Sequence, residues 1–310
     1  MKKRVINIIG TILMLAALAF IVKKLIGLDI NFSLFTNLKT LAIIAGLSVV
    51  QLISLFLVAF IWWLILKFFT PFSPDILKTI GIYFKSNIAK YLPGNLGQFL
   101  GRQIFGVSLG MMQAQLALSS VFEIGFTILS ALIIALAFGG SKIVEAYRAL
   151  FPNGSLFLIG IIICVLIVAI ILLLIFKKYR IITEILKLLK EKVFWIRSIA
   201  ILLLYIVQFL LFGIIFALLV RLSVQTSIAD VFIFLAASVI SWLAGFIIPG
   251  VPGGIGIRES VLLLTLPMFP QDVILSAAII QRIIMIVGDV LAWLVGIILS
   301  RQTASPDSSN

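Results

Sequence analysis

Long apolar stretches, interrupted by short charged or Pro-Gly segments, dominate the pattern of this chain. A helix needs about 20 apolar residues to cross the hydrocarbon core of a bilayer. Stretches of about this length cover residues 5–22, 41–66, 114–138, 155–176, 198–220, 228–248 and 273–299. We therefore predict an all-α polytopic membrane protein with about seven transmembrane helices, in a single membrane domain over residues 1–300.

Two Pro-Gly segments break the helical pattern, one at Pro93-Gly94 and the other around Pro252-Gly253. Proline removes a backbone donor, and glycine permits conformations that a helix interior excludes. At membrane depth, irregular backbone is tolerated only where it is buried in protein or lines a wet cavity. The breaks therefore predict two re-entrant or half-helix segments and indicate where a site should lie.

A charged helix is predicted over residues 75–91, with Ser73 as its N-cap and Pro74 in its first turn. Its lysines prevent it from facing lipid along its whole length. It either lies at the membrane interface or packs inside the bundle, and we expect that it does not cross.

Basic residues between the apolar stretches predict the orientation. Because Lys and Arg are enriched in cytoplasmic loops, their distribution places the N-terminus in the cytoplasm and the C-terminus outside, in the plasma membrane. Residues 177–197 hold seven Lys or Arg, and the apolar positions between them follow helical spacing, which predicts an amphipathic surface linker. The polar tail 301–310 is predicted to be disordered.

An internal repeat relates the two Pro-Gly segments. Superposing Pro93-Gly94 on Pro252-Gly253 gives an offset of 159 residues and also matches Gly97 with Gly256. The repeat-like halves cover about 41–176 and 198–299. Because four predicted crossings separate the two Pro-Gly loops, we expect parallel rather than inverted repeats.

Three ionisable residues lie inside the apolar stretches and are expected to line a polar path. The repeat offset pairs Glu123 with Arg282 at equal depth, so we expect these two side chains to pair. Asp289 lies two helical turns beyond Arg282 on the same stripe. The alternative is a purely structural ion pair between the repeats.

The Gly-rich segments also predict an anion site. Backbone N–H groups at a helix start lack intrahelical acceptors and attract anions. Two arginines follow within two turns and can add forked hydrogen bonds, while Glu259 points to another face. The expected headgroup-binding residues are Gly94, Asn95, Gly97, Arg102, Gly253, Gly254, Gly256, Arg258 and Glu259. The alternative is a tight hairpin in which the glycines only permit close packing.

Composition excludes several classes of function. The chain has no histidine and one cysteine, Cys164, so no His-based catalysis, catalytic triad or Cys/His metal site is available. We expect no cofactor, no metal and no enzymatic activity. The net charge is +13, and the basic residues lie in the segments between apolar stretches. This distribution reflects membrane topology rather than nucleic-acid binding.

These motifs resemble those of the lysylphosphatidylglycerol synthase transmembrane region family, which comprises flippase-like integral membrane proteins. The resemblance rests on YLPGNLG at residues 91–97 with Arg102, on PGGIGIRE at 252–259 and on Arg282. One departure is Ile124, where the family often has an arginine. The family's motif positions fall on Pro93, Gly94, Gly97, Arg102, Glu123, Pro252, Gly253, Gly256, Glu259 and Arg282.

The resemblance implies movement of a lipid across the bilayer. We expect a translocase for an anionic phospholipid or a polyprenyl-phosphate-linked precursor, with Arg102 and Arg258 receiving the phosphate. Two alternatives stay open. One is a non-catalytic subunit that presents lipid to a partner transferase, and the other is a secondary transporter of a small anion.

Overall fold

All regular elements that the computed structural model describes are helices. It describes residues 37–91, 97–150, 187–247, 254 and 256–302, with side chains for all of these except 140–150, 301 and 302. The eight α-helices are α1 (Leu38–Leu66), α2 (Ile76–Asn87), α3 (Gly97–Gly106), α4 (Gln113–Leu150), α5 (Lys192–Arg221), α6 (Ile228–Ile247), α7 (Ile257–Thr265) and α8 (Gln271–Gln302).

Five of these helices are long and apolar enough to cross a membrane, namely α1, α4, α5, α6 and α8. They coincide with five of the seven predicted stretches. The other two, 5–22 and 155–176, lie outside the described residues, as do residues 177–186 of the predicted linker and the tail beyond Gln302. The all-helical, multi-pass class is therefore supported, and the count of seven stays a prediction.

The N-terminal cap of α2 differs from the predicted one. The N-cap is Asp75, not Ser73: its carboxylate accepts the backbone N–H of Lys78 at 2.7 Å. Pro74 consequently precedes the helix instead of opening it. From Thr79 onward most of α2 is buried, and Gly81 packs against Gly296 of α8. Of the two expected placements, α2 therefore adopts the one inside the bundle.

The helices α2 and α3 form a hairpin that returns to the end of α1. They run antiparallel, because Gly97 packs against Ala89 and Gly101 packs against Ser86. The hairpin starts where Trp63 donates its indole N–H to the carbonyl oxygen of Pro74 at 2.8 Å. It ends close to the same place, since the Gln115 amide of α4 donates to the carbonyl oxygen of Phe69.

The helices α6 and α7 form a second hairpin of the same kind. The Ser241 hydroxyl of α6 donates to the carbonyl oxygen of Arg258 at the start of α7. The rings of Phe234 and Phe269 are 4.7 Å apart, so the chain arrives at α8 beside the beginning of α6. Although α6 has the length of a span, the chain therefore turns back after it.

Helices α1–α4 and α5–α8, which contain the two repeats predicted from sequence, run in opposite directions. The C-terminal end of α1 packs against the N-terminal end of α5, with Phe68 and Phe194 rings 4.9 Å apart. Within each repeat, the second helix runs antiparallel to the first: Phe56 of α1 packs on Phe84 of α2, and Phe209 of α5 packs on Trp242 of α6. The repeats also interlock, because α2 packs on α8 and α6 packs on α4.

The expectation of parallel repeats is thus wrong. Counting residues 228–248 as a complete crossing gave an even number of crossings between the Pro-Gly segments. Since α6 and α7 turn back, the two hairpins point in opposite directions. The helix α8 ends with Leu299 against Gly81, at the end of the bundle where α1 also ends.

Candidate functional site

A cavity of about 170 Å³ lies between the two hairpins, at about the middle of the long helices. Both repeats contribute to it in a related way. Five pairs of lining residues are separated by 159 positions, the offset of the Pro-Gly motifs. These pairs are Tyr83/Trp242, Asn87/Phe246, Phe99/Arg258, Glu123/Arg282 and Thr127/Ile286. The cavity therefore lies at the interface of the inverted repeats.

In the first repeat, an ion pair joins the hairpin to the long helix α4. The Arg102 guanidinium of α3 donates to the Glu123 carboxylate, and both residues are buried. The Tyr83 hydroxyl donates to the other carboxylate oxygen at 3.3 Å, and its ring lies 4.1 Å from the guanidinium carbon. Glu123 lines the cavity, whereas Arg102 lies behind it.

In the second repeat, an ion pair also joins the hairpin to the long helix α8, but here the hairpin supplies the carboxylate and the long helix supplies the arginine. Arg282 of α8 lies 2.8 Å from the Glu259 carboxylate of α7 and also donates to the carbonyl oxygen of Gly254. The predicted Glu123–Arg282 pair is wrong. With inverted repeats, each residue meets the hairpin of its own repeat before it can reach the other.

Asp289 connects the first hairpin to the other repeat. Its carboxylate is fully buried and accepts from Asn87 at 2.8 Å, from Lys90 at 2.7 Å and from the Tyr91 hydroxyl. Sequence reasoning did not assign these three residues to the site. The sequence did contain an indication of this contact. Lys90 lies near the end of the predicted helix 75–91, and a lysine that packs inside a membrane bundle needs a carboxylate.

Arg258 differs from the other cations of the cavity. No carboxylate of the described residues lies within 4 Å of its guanidinium, and its buried Nε has no hydrogen-bond partner among them. Its side chain crosses Gly245, where an added Cβ would lie 2.7 Å from Nε. A bound anion would supply the countercharge that the described residues do not give Arg258.

The glycines of the described loops serve packing and capping. A Cβ on Gly97 would lie 2.2 Å from the carbonyl oxygen of Ala89, so α3 can approach α2 only with glycine there. Gly254 adopts a left-handed φ of 66°. The N–H of Gly256, one of the predicted anion ligands, already donates to Glu259 at 2.8 Å. Gly94, Asn95 and Gly253 lie outside the described residues.

Comparison with protein-family models, with curated proteins and with solved structures finds no match. The protein is thus defined by its own geometry: in the described residues, an all-helical chain with five helices able to cross a membrane and a charged cavity between two opposed hairpins. The family resemblance of its motifs stays a prediction.

Proposed function

We propose that this protein is a membrane translocase that moves an anionic lipid across the bilayer. The observation that carries the proposal is Arg258, a half-buried cation at a cavity between two hairpins, whose guanidinium has no carboxylate partner among the described residues. An unpaired charge is costly inside a membrane, and intramembrane charges there commonly mark a pathway for a charged substrate. The phosphate of a lipid headgroup would supply the missing partner.

In the proposed topology, α2–α3 and α6–α7 are re-entrant hairpins that enter from opposite faces of the membrane. The irregular turn Ile88–Tyr91 of the first hairpin then faces protein and cavity instead of lipid, as backbone at that depth requires. The helices α1, α4, α5 and α8 cross, and α1 and α8 both end at the cytoplasmic face. The basic residues Lys67 and Arg197 meet at that face, in agreement with the positive-inside rule.

Inverted repeats support alternating access to one central site. Two halves of opposite direction can exchange conformations, so that the same cavity opens first to one face and then to the other. The hairpins are suited to this exchange, because each is held to its long helix by one ion pair near the cavity. The carboxylates and the paired cations would position the hairpins, while Arg258 would bind the substrate anion.

The dimensions and lining of the cavity favour a headgroup with lipid tails left outside. Pockets for whole drug-sized ligands measure about 300–1,000 Å³, so about 170 Å³ fits a headgroup but not acyl chains. Apolar side chains, among them Leu55, Phe246 and Met285, share the lining with the charged ones. The motif resemblance to a flippase-like family points in the same direction.

A small-anion secondary transporter is the second candidate. The same small volume and the inverted repeats favour it, since this architecture recurs in transporters of soluble substrates. A lipid-presenting subunit of a partner transferase would also bind lipid at Arg258 but would not translocate it.

The first test identifies lipids that copurify with the full chain in a mild detergent, by mass spectrometry. An anionic lipid should be enriched over the bulk membrane, and Arg258→Gln should remove this enrichment. Arg221→Gln, at an exposed position at the end of α5, is the matched control and should bind as the native protein does. A bulk-like lipid profile in all three proteins would contradict a lipid-binding role for Arg258.

A further inference from the structure

The charged groups of the cavity leave a surplus of one positive charge. Lys90, Glu123, Arg258 and Arg282 are the charged side chains among its lining residues. Asp289 neutralises Lys90, Arg102 neutralises Glu123 and Glu259 neutralises Arg282. Only the charge of Arg258 remains within this set. Residues 92–96, 248–253 and 255, which lie outside the described residues, do not alter the balance because none of them has an ionisable side chain.

We infer that the cavity selects its ligand by valence and accepts a group with one negative charge. The physical reason is the cost of an uncompensated charge in a medium of low dielectric constant. A neutral group leaves Arg258 unpaired, and a doubly charged group leaves one negative charge without a partner. A singly charged group leaves the cavity neutral.

This inference rests on the proposed function and narrows its substrate class. A phosphodiester carries one negative charge at neutral pH. A phosphomonoester carries between one and two, because its second proton dissociates near pH 6, and a diphosphate carries more. Valence selection therefore favours phosphodiester headgroups over phosphatidic acid and over polyprenyl diphosphates. A soluble monoanion has the same chemistry and is distinguished below.

The test compares phosphatidylglycerol with phosphatidic acid of identical acyl chains, bound to the purified full chain. At about pH 8.5, where phosphatidic acid approaches two charges, phosphatidylglycerol should bind at least about tenfold more tightly. At about pH 5, where both lipids carry one charge, the affinities should agree within about threefold. Affinity for phosphatidylglycerol is the internal control for effects of pH on the protein. Equal or tighter binding of phosphatidic acid at the higher pH overturns the inference.

A change of cavity charge should change the preferred valence. Glu259→Gln raises the surplus to two, and glutamine can keep the hydrogen bond to the N–H of Gly256 because it serves at this capping position as glutamate does. This variant should prefer phosphatidic acid at the higher pH by at least about threefold. Arg258→Lys keeps a surplus of one and should retain the native order. An unchanged order in Glu259→Gln with a native melting temperature contradicts selection by net charge.

Dimethyl phosphate, a soluble phosphodiester, separates the two sources of a monoanion. Displacement of phosphatidylglycerol by dimethyl phosphate supports a free anion as ligand, and retention supports a lipid. The proposed function can fail independently. Valence selection without lipid translocation in liposomes would keep this inference and reject the translocase. Translocation at equal rates for headgroups of different charge would keep the translocase and reject valence selection.

Discussion

Glu123 and Arg282 stand 159 positions apart, line the same cavity and carry opposite charges, yet each pairs within its own repeat. In the first repeat the long helix supplies the carboxylate and the hairpin supplies the arginine. In the second repeat these roles are exchanged. Each hairpin is therefore held to a long helix by an ion pair that is neutral by itself, although the polarity of the two pairs is reversed.

The Arg102–Glu123 pair should be essential for stability, because both residues are buried. Replacing Arg102 with Met leaves Glu123 without a countercharge, which should destabilise the protein by about 3–5 kcal/mol. The double variant Arg102→Met with Glu123→Gln should recover most of this loss, since no charge remains buried alone. Thermal unfolding of the purified proteins, followed by tryptophan fluorescence, measures both. A double variant that is no more stable than the single one would contradict the assignment.

The Asp289 cluster should hold the tip of the first hairpin against α8. Asp289→Asn leaves Lys90 with no carboxylate among the described residues, so backbone amides of Ile88–Tyr91 should exchange hydrogen at least about tenfold faster. Adding Lys90→Met should restore part of the protection, because the unpaired cation is gone. Hydrogen exchange followed by mass spectrometry gives the comparison. Native exchange in Asp289→Asn would show that this contact does not restrain the tip.

The close approach of α3 to α2 depends on Gly97. Gly97→Ala places a Cβ 2.2 Å from the carbonyl oxygen of Ala89 and should cost about 1–3 kcal/mol. Gly125→Ala is the matched control. No other atom lies within 4 Å of its added Cβ, and alanine in a helix interior should stabilise by about 0.5–1 kcal/mol. Equal melting temperatures of the two variants would contradict the packing of the hairpin.

Cysteine labelling in intact cells tests the opposed hairpins. In a Cys164→Ser background, Ser73→Cys reports the side where the first hairpin starts, and Met268→Cys reports the side where the second hairpin ends. Both positions are exposed. We expect an impermeant maleimide to label Met268→Cys from outside and Ser73→Cys only after the cells are opened. Labelling of both positions from the same side would support parallel repeats and contradict inverted ones.

Much of the helical framework follows from sequence because span length and hydropathy are properties of local segments. The observed α1, α4, α6 and α8 begin within a few residues of their predicted starts. The arrangement of the site is harder to predict from sequence. Whether α6 completes a crossing depends on tertiary contacts such as Phe234 with Phe269, and the direction of the repeats follows from it. Arg258 and Arg282 were found from their motifs, but the partners of Glu123 and Asp289 required the hairpin directions.

The most direct test of the central claim is lipid translocation by the purified protein in liposomes. Fluorescent phosphatidylglycerol is placed in both leaflets, and an impermeant reductant added outside bleaches the outer leaflet at once. The slow phase of the fluorescence loss then reports movement of lipid from the inner to the outer leaflet. The native protein and Arg221→Gln should make the inner lipid accessible at equal rates, whereas Arg258→Gln should be slower by at least about tenfold, since an isolated buried anion then lacks its partner. Native rates in Arg258→Gln, or native protein no faster than empty liposomes, would contradict an anionic-lipid translocase built around this arginine.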